Sequence, residues 1–198
     1  RGASEVTTFC LDLNDMNKHE ELLNSADDIL GSVDIVLIAH GTLSNQKSCQ
    51  LSVHETLAEI QTNALSTISL LTHIANRFEA KKSGTLCVIS SVAGDRGRAS
   101  NYVYGSAKAM VTTFTSGLRQ RLYKSNVSVV TIKPGFVDTP MTSEFRKGIL
   151  WAKPNIVSAL IVKAIDKKKA EVYVPSFWWV VMLIIKVIPS KIFKGLRL

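Results

Sequence analysis

Short apolar runs that end in Gly, Ser or Pro constrain this chain more than any other feature. Ile35-Val36-Leu37-Ile38 leads into Ala39-His40-Gly41, and Leu86-Cys87-Val88-Ile89 into Ser90-Ser91. Residues 127–132 lead in the same way into Lys133-Pro134-Gly135. Near-continuous apolar runs of this length suit strands buried on both faces. Residues 6–11 and 171–174 are further strand candidates. Between these runs lies helical periodicity, over about 16–30, 52–78, 102–123 and 155–168. Gly31 is a stop signal for the first helix, and Ser52-Val53-His54-Glu55 is a capping box opening the second. The order β-α-β-α-β-α-β-α-β predicts an α/β fold, a doubly wound parallel sheet with helices on both faces. Ligands of such sheets bind beyond the carboxyl ends of the strands. Asp12, Gly41, Ser91 and Pro134-Gly135 all fall at those ends and converge on one cleft.

Chemistry concentrates around the central run. Ser91 closes a strand, a polar loop follows, and Tyr104 and Lys108 lie four residues apart on one face of the next helix. A phenol with a pKa near ~10 is a poor acid–base catalyst at neutral pH. An ammonium one helical turn away favours the phenolate and lowers that pKa into working range. Ser91 can hydrogen-bond the same substrate oxygen that Tyr104 protonates. A surface Tyr packed on a Lys stem gives the same pair without any chemistry, so its meaning depends on the rest of the chain.

With 198 residues, 46% hydrophobic and 20% charged, the chain has the composition of one globular domain. The formal net charge of +8 suits an acidic partner or surface. The basic residues are not interleaved with aromatics, which argues against nucleic acid as a partner. They gather towards the C-terminus, at Lys163, Lys167, Lys168, Lys169, Lys186, Lys191, Lys194 and Arg197. Three cysteines are too few for a disulfide framework; Cys10 and Cys87, in apolar runs, read as small buried hydrophobes of a reducing compartment. The four histidines are scattered and suggest no metal. No secretory signal opens the chain, so a cytoplasmic location is expected.

Read together, these residues resemble the short-chain dehydrogenase/reductase family over nearly the whole chain before the last twenty or so residues. Asp12-Leu13 stands at the family's adenine-contacting position, and Ile38-Ala39-His40-Gly41 where the family has Asn-Asn-Ala-Gly. Asn63 matches the helix asparagine; Ser91, Tyr104 and Lys108 match the catalytic set. Pro134-Gly135, with Val137 and Thr139, matches the nicotinamide-side motif. The resemblance implies a Rossmann-like fold and a hydride transfer using NAD or NADP. Tyr104 would protonate the carbonyl, Lys108 would hold the nicotinamide ribose, and Ser91 would orient the carbonyl. Asn63 would bend its helix and hold a water in a relay towards Lys108; otherwise it is a mid-helix polar residue facing solvent. It also implies a homo-oligomer built through the helices of Asn63 and Lys108.

Two departures stand out. The asparagines of the Asn-Asn-Ala-Gly stretch are absent, and His40 either lines the cofactor cleft or, as we favour, makes a structural hydrogen bond. The Gly-rich Thr-Gly-x-x-x-Gly-x-Gly turn, which the family places about fifty residues upstream, is missing. The expectation is therefore a fragment lacking the first βαβ portion, with the choice between NAD and NADP set in the missing part.

Ala39-His40-Gly41-Thr42-Leu43 and the stretch from Ser91 to Tyr104 are similar to reductases grouped with the ketoreductase partner of decaprenylphosphoryl-ribose 2-epimerase. That resemblance implies a lipid-linked sugar as substrate, with 3-oxoacyl, sterol-like or xenobiotic carbonyls as the runner-up. A reading from another class is a non-catalytic, membrane-attached binding protein of the same fold. The domain division expected is 1–175 for the α/β unit and 176–198 for a tail. Residues 177–185 are nine uninterrupted apolar residues beginning Phe177-Trp178-Trp179, short of the ~20 needed to span a bilayer. With Lys191, Lys194 and Arg197 beyond them, they suit an interfacial helix on an anionic membrane surface, at the inner face. The competing reading is an element that covers the substrate pocket or joins subunits. Phe145, Ile149, Leu150 and Trp151 suit either a hydrophobic substrate or ordinary packing.

Overall fold

A computed structural model describes residues 3–196; Arg197, one of the tail's basic residues, lies outside the described residues. The first helix, α1 (His19–Leu30), stops at Gly31, whose φ of 70° closes the turn without strain. β1 (Ile35–Ile38) follows, then α2 (Gln46–Cys49), α3 (Val53–Ile60) and α4 (Ser66–Lys81). Next come β2 (Gly84–Ile89), α5 (Tyr102–Leu122), β3 (Val127–Pro134) and α6 (Pro154–Asp166). β4 (Glu171–Val174), α7 (Phe177–Val187) and α8 (Ser190–Phe193) complete the chain. The four strands are all parallel, in the order β1-β2-β3-β4.

Alternation along the strands builds two cores. Leu86, Val88, Val127 and Val129 face Leu71, Ile74, Ala107 and Val111 of α4 and α5. Cys87, Val130, Ile132 and Val174 face Val157 and Ala164 of α6 on the other side. The doubly wound arrangement is thus the direct result of strands apolar on both faces.

One expected strand does not form. Residues 6–11 are extended but unpaired, with Val6 and Phe9 exposed. A strand needs a neighbour to satisfy its ladder, and β1 pairs with β2 alone among the described residues. Cys10, expected to be buried, is accordingly exposed, whereas Cys49 and Cys87 are buried. The same edge explains Ile35 and Leu37: they point away from the α4 side, where nothing covers β1, and remain about half exposed.

The helix expected over 52–78 runs from Val53 to Lys81 and passes through one π turn at Gln61–Leu65. Ser52 accepts the Glu55 N–H at 3.2 Å, as the capping box requires. The tail folds back on the α/β unit. Trp178 and Met182 of α7 are buried against Val92, with Tyr173 packed beside them.

Candidate active site

The site is assembled at the carboxyl ends of β1, β2 and β3. Gly41, past β1, has φ 153°, and a Cβ there would stand 2.7 Å from Asn63 Oδ1 and 3.4 Å from Lys108 Nζ. Only glycine admits this approach, so the backbone after β1 lies directly against two of the expected site residues. Asn63 sits in the π turn, a feature that re-aims side chains within helices. It is fully buried, which removes the solvent-facing alternative. Its Oδ1 accepts the Thr42 N–H at 3.0 Å. Its Nδ2 donates to Thr42 Oγ1, Glu59 O and Glu59 Oε2 at 3.0, 3.1 and 3.0 Å. Glu59 Oε2 also accepts from Thr42 and Ser44, so the loop after β1 is clasped to the π turn.

Ser91 follows β2 and accepts the Ala93 N–H at 3.1 Å, starting the short turn Val92–Asp95. That turn presses on α5: Cβ atoms at Gly94 and Gly105 would stand 2.7 Å from Ala109 N and 2.8 Å from Ala93 O. Ser90 Oγ donates to Lys108 O at 3.0 Å and lies 2.7 Å from Thr112 Oγ1. Gln46 Oε1 accepts the Val103 N–H at 3.0 Å, satisfying one of the orphan donors at the start of α5. These contacts hold Tyr104 and Lys108 beside Ser91.

Lys108 is 4% exposed and among the described residues donates only to Ile89 O, at 3.3 Å, with Nζ 5.6 Å from the centre of the Tyr104 ring. Burial depresses its pKa from 10.5 to about 8. Tyr104 departs from the sequence expectation. Burial raises its phenol above the ordinary value, and hydrogen bonding with Ser91 only partly offsets this. The nearby ammonium therefore does not bring the phenol towards neutrality in this structure, because both groups are desolvated together.

His40 makes the structural bond expected of it, with Nε2 2.8 Å from Ser66 Oγ; burial, then Lys108 and His19, lowers its pKa. Ala39 is exposed beside it. Asp12 Oδ1 accepts the Asn14 N–H at 2.9 Å, Leu13 O lies 3.0 Å from His19 Nε2, and Asn14 reaches Thr62 next to Asn63 at 3.1 Å. Asp12-Leu13 thus lies beside the π turn although no strand leads to it. Among the described residues there is no His/Cys/Asp/Glu cluster fit for a metal.

Past β3, Pro134-Gly135 turns under α7. A Cβ on Gly135 would overlap the Trp178 indole at 1.9 Å, so the tail helix closes directly over this turn. Phe136 stacks on Trp151 at 5.2 Å and meets Trp178 edge-on at 5.3 Å, forming an aromatic wall. Val137 O accepts the Thr142 hydroxyl at 2.7 Å, and Thr139 N donates to that same hydroxyl at 3.2 Å. Phe145, Ile149 and Leu150 project from the loop beyond, exposed.

Sequence reasoning missed a buried ionic network behind Ser91. Lys133 Nζ lies 2.7 Å from Asp95 Oδ1 and 2.9 Å from Glu171 Oε1, and Tyr173 donates to Asp95 Oδ2 at 2.7 Å. The signal was a lysine ending the buried run of β3, which needs a counter-charge. Gln46, and the bonds of Glu59 to Thr42 and Ser44, left no comparable signal, since these partners are distant in sequence.

The short chain dehydrogenase family model matches residues 1–149. An uncharacterized oxidoreductase of Mycobacterium tuberculosis is 35% identical, over 88% of this chain and 70% of its own length. The chain belongs to the short-chain dehydrogenase family. It is an oxidoreductase of that type. A ketoacyl reductase of Nostoc is 29% identical over 82% of this chain and 58% of its own length. A short-chain dehydrogenase of Burkholderia cenocepacia, solved with NADP, superposes with a TM-score of 0.73 at 18% identity, covering 82% of this chain and 68% of that one. That likeness extends the family assignment to the fold, a Rossmann-like parallel sheet.

The residues present fit the ribose end of a nicotinamide nucleotide. Among the described residues Lys108 has one backbone acceptor for its three donors, which leaves two for ribose hydroxyls. The Trp178 indole N–H, packed against Gly135, is buried with no hydrogen-bond partner among the described residues.

Proposed function

We propose that this short-chain dehydrogenase reduces a carbonyl group, or oxidises the corresponding alcohol, using NADH or NADPH. The observation that carries the reading is Lys108, a buried ammonium with spare donors, set beside a protonated Tyr104 that hydrogen-bonds Ser91. Held by Lys108 and the strand-end loops, a reduced nicotinamide would supply the hydride for the carbonyl carbon. Tyr104, kept protonated at neutral pH by burial, donates its proton to the carbonyl oxygen. Ser91 holds that oxygen by a hydrogen bond and steadies the charge developing on it. Lys108 binds the ribose hydroxyls and stabilises the phenolate left after proton transfer. Asn63 fixes the loop after β1 through Thr42, and a water held at the π turn would return a proton towards Lys108. Asp12, Leu13, Ala39, His40 and Gly41 would line the adenosine side, and Pro134, Gly135, Val137 and Thr139 the nicotinamide side.

The substrate proposed is hydrophobic, a lipid-linked sugar carbonyl in the first instance. What supports it is the aromatic wall of Phe136, Trp151 and Trp178 beside Gly135, with the apolar side chains of the following loop. The Nostoc relative's description favours a 3-oxoacyl compound as the second reading. The test, on the protein carrying the upstream Gly-rich turn that the sequence leads us to expect, is titration of NADH and NADPH by fluorescence, then cofactor oxidation with membrane lipid extract, wild type beside Tyr104→Phe. Retained cofactor binding with turnover lowered at least 1,000-fold in the variant is expected, on the scale of a lost general acid. Binding of neither cofactor would leave a non-catalytic protein of this fold as the better account.

A further inference from the structure

The tail helix α7 has two apolar faces and only one of them is used. Its inner stripe, Trp178 and Met182 with Val181 and Ile185, packs against the α/β unit. Its outer stripe, Trp179, Val180, Leu183, Ile184 and Val187, is 45–69% exposed. These five stand at helical spacing i, i+1, i+4, i+5, i+8, so they form one continuous surface. An ordinary surface helix presents polar residues there; between Phe177 and Ile185 this one has none. A helix apolar all round belongs in a core or in lipid. None among the described residues is long and apolar enough to cross a membrane.

The outer face is held in place, not loosely attached. Arg96 Nη1 donates to the carbonyls of Ile185, Ile188 and Lys186 at 2.5, 2.7 and 3.2 Å, capping the end of α7. Its guanidinium also stacks over the Phe193 ring at 3.7 Å, which fixes α8 alongside. α8 adds the exposed Ile192 to the same end of the surface.

Charge selects the occupant. Lys186, three residues past Leu183 and seven past Trp179, shares their face. Lys191 and Lys194 follow on and beside α8, all three are exposed, and no ion pair engages them among the described residues. From Pro175 to the last residue the sequence contains no acidic residue at all. A two-fold contact between copies through this face would bring these cations against their own equivalents, without a counter-charge from the segment. An anionic bilayer accepts the apolar stripe and the lysines together. We propose that the outer face of α7 and α8 docks this protein on an anionic phospholipid surface, with Trp179 and Leu183 in the acyl boundary and Lys186, Lys191 and Lys194 at the headgroups. This would place the aromatic wall beside Gly135, which shares Trp178 with α7, close to substrates carried in the bilayer.

The full chain is tested by co-sedimentation with vesicles of pure phosphatidylcholine and of phosphatidylcholine with 30 mol% phosphatidylglycerol. Binding to the second composition but not the first is expected. Replacing Lys186, Lys191 and Lys194 by Ala should weaken it on the order of 100-fold. Vesicles carrying brominated acyl chains should quench tryptophan fluorescence, and Trp179→Phe should remove most of that quenching, because Trp178 faces inward. No binding, or equal binding to both compositions, overturns the proposal. So does a lipid-free dimer in sedimentation velocity that Leu183→Lys dissolves, which would assign the face to a second copy. None of these readouts requires turnover, so failure here leaves the reductase reading standing, and the reverse.

Discussion

Replacing Lys108 by Met should make the folded protein more stable and its catalysis negligible. The side chain is 4% exposed and its only acceptor is the Ile89 carbonyl at 3.3 Å. Its pKa falls from 10.5 to about 8, so at neutral pH the folded state carries the charged form against its preference. At ~1.36 kcal/mol per pH unit this corresponds to roughly 3 kcal/mol of destabilisation. Met keeps the length and apolar stem, removes the charge, and loses one hydrogen bond worth about 1 kcal/mol. A net gain of about 2 kcal/mol at pH 7 follows. Between about pH 8 and 10.5 the unfolded wild type still holds a proton that the folded protein has shed. Wild-type stability therefore rises with pH through that window, and the variant's advantage closes. Urea melts of both proteins without nucleotide, at intervals from pH 6.5 to 10.5, measure the gap. A variant less stable than wild type at pH 7, or a gap that does not change with pH, would refute the reasoning.

Gly41→Ala places a methyl 2.7 Å from Asn63 Oδ1 at a φ of 153°. It should cost about 1–3 kcal/mol in urea melts and weaken nucleotide binding, since the loop after β1 must move. Asp95→Asn removes the carboxylate that holds Lys133 at 2.7 Å and accepts the Tyr173 hydroxyl. Glu171 Oε1 still meets Lys133 at 2.9 Å, so the loss should be about 1–3 kcal/mol, below the cost of leaving a buried charge with no partner. Combining it with Lys133→Met should recover most of that loss; a strictly additive double variant would show that the pair is not coupled.

Much of the sheet could be read from the chain because strands buried on both faces leave near-continuous apolar runs. β4 and α6 fall where the pattern placed them, and α1 ends at Gly31 as expected. The convergence of Gly41, Ser91, Tyr104 and Lys108 followed from strand ends and one helical spacing, whereas Asn63 was picked out only by the family resemblance. Residues 6–11 misled because β propensity describes a segment's fitness for a sheet, not whether a neighbouring strand is there to pair with it. The phenol's pKa was misread for a related reason: spacing brings Lys108 close to Tyr104 but says nothing of how deeply both are buried. The contacts of Glu59 with the loop after β1, of Gln46 and of the Asp95 network join residues 15 to 78 apart in the chain, which periodicity does not report.

The two buried lysines among the described residues, Lys108 and Lys133, make the strongest internal argument for where the chemistry lies. Lys133, on β3, is 5% exposed at its side chain and meets two carboxylates within 3 Å. Folding alone accounts for that arrangement, since a buried charge is tolerated when paired. Lys108, one helix away, is as deeply buried and meets no carboxylate, only a backbone carbonyl. A chain that can supply two acids to one lysine and supplies none to the other is not neglecting it, because the surrounding loop is held by four hydrogen bonds to Asn63 and Glu59. An unpaired ammonium in so constrained a setting is a local departure from stability rules, and such departures concentrate where ligands or reacting groups supply the missing partner. Tyr104, whose ring centre stands 5.6 Å from Lys108 Nζ and which hydrogen-bonds Ser91, is the reacting group set beside it, and the reductase reading therefore begins from Lys108 and not from the tyrosine.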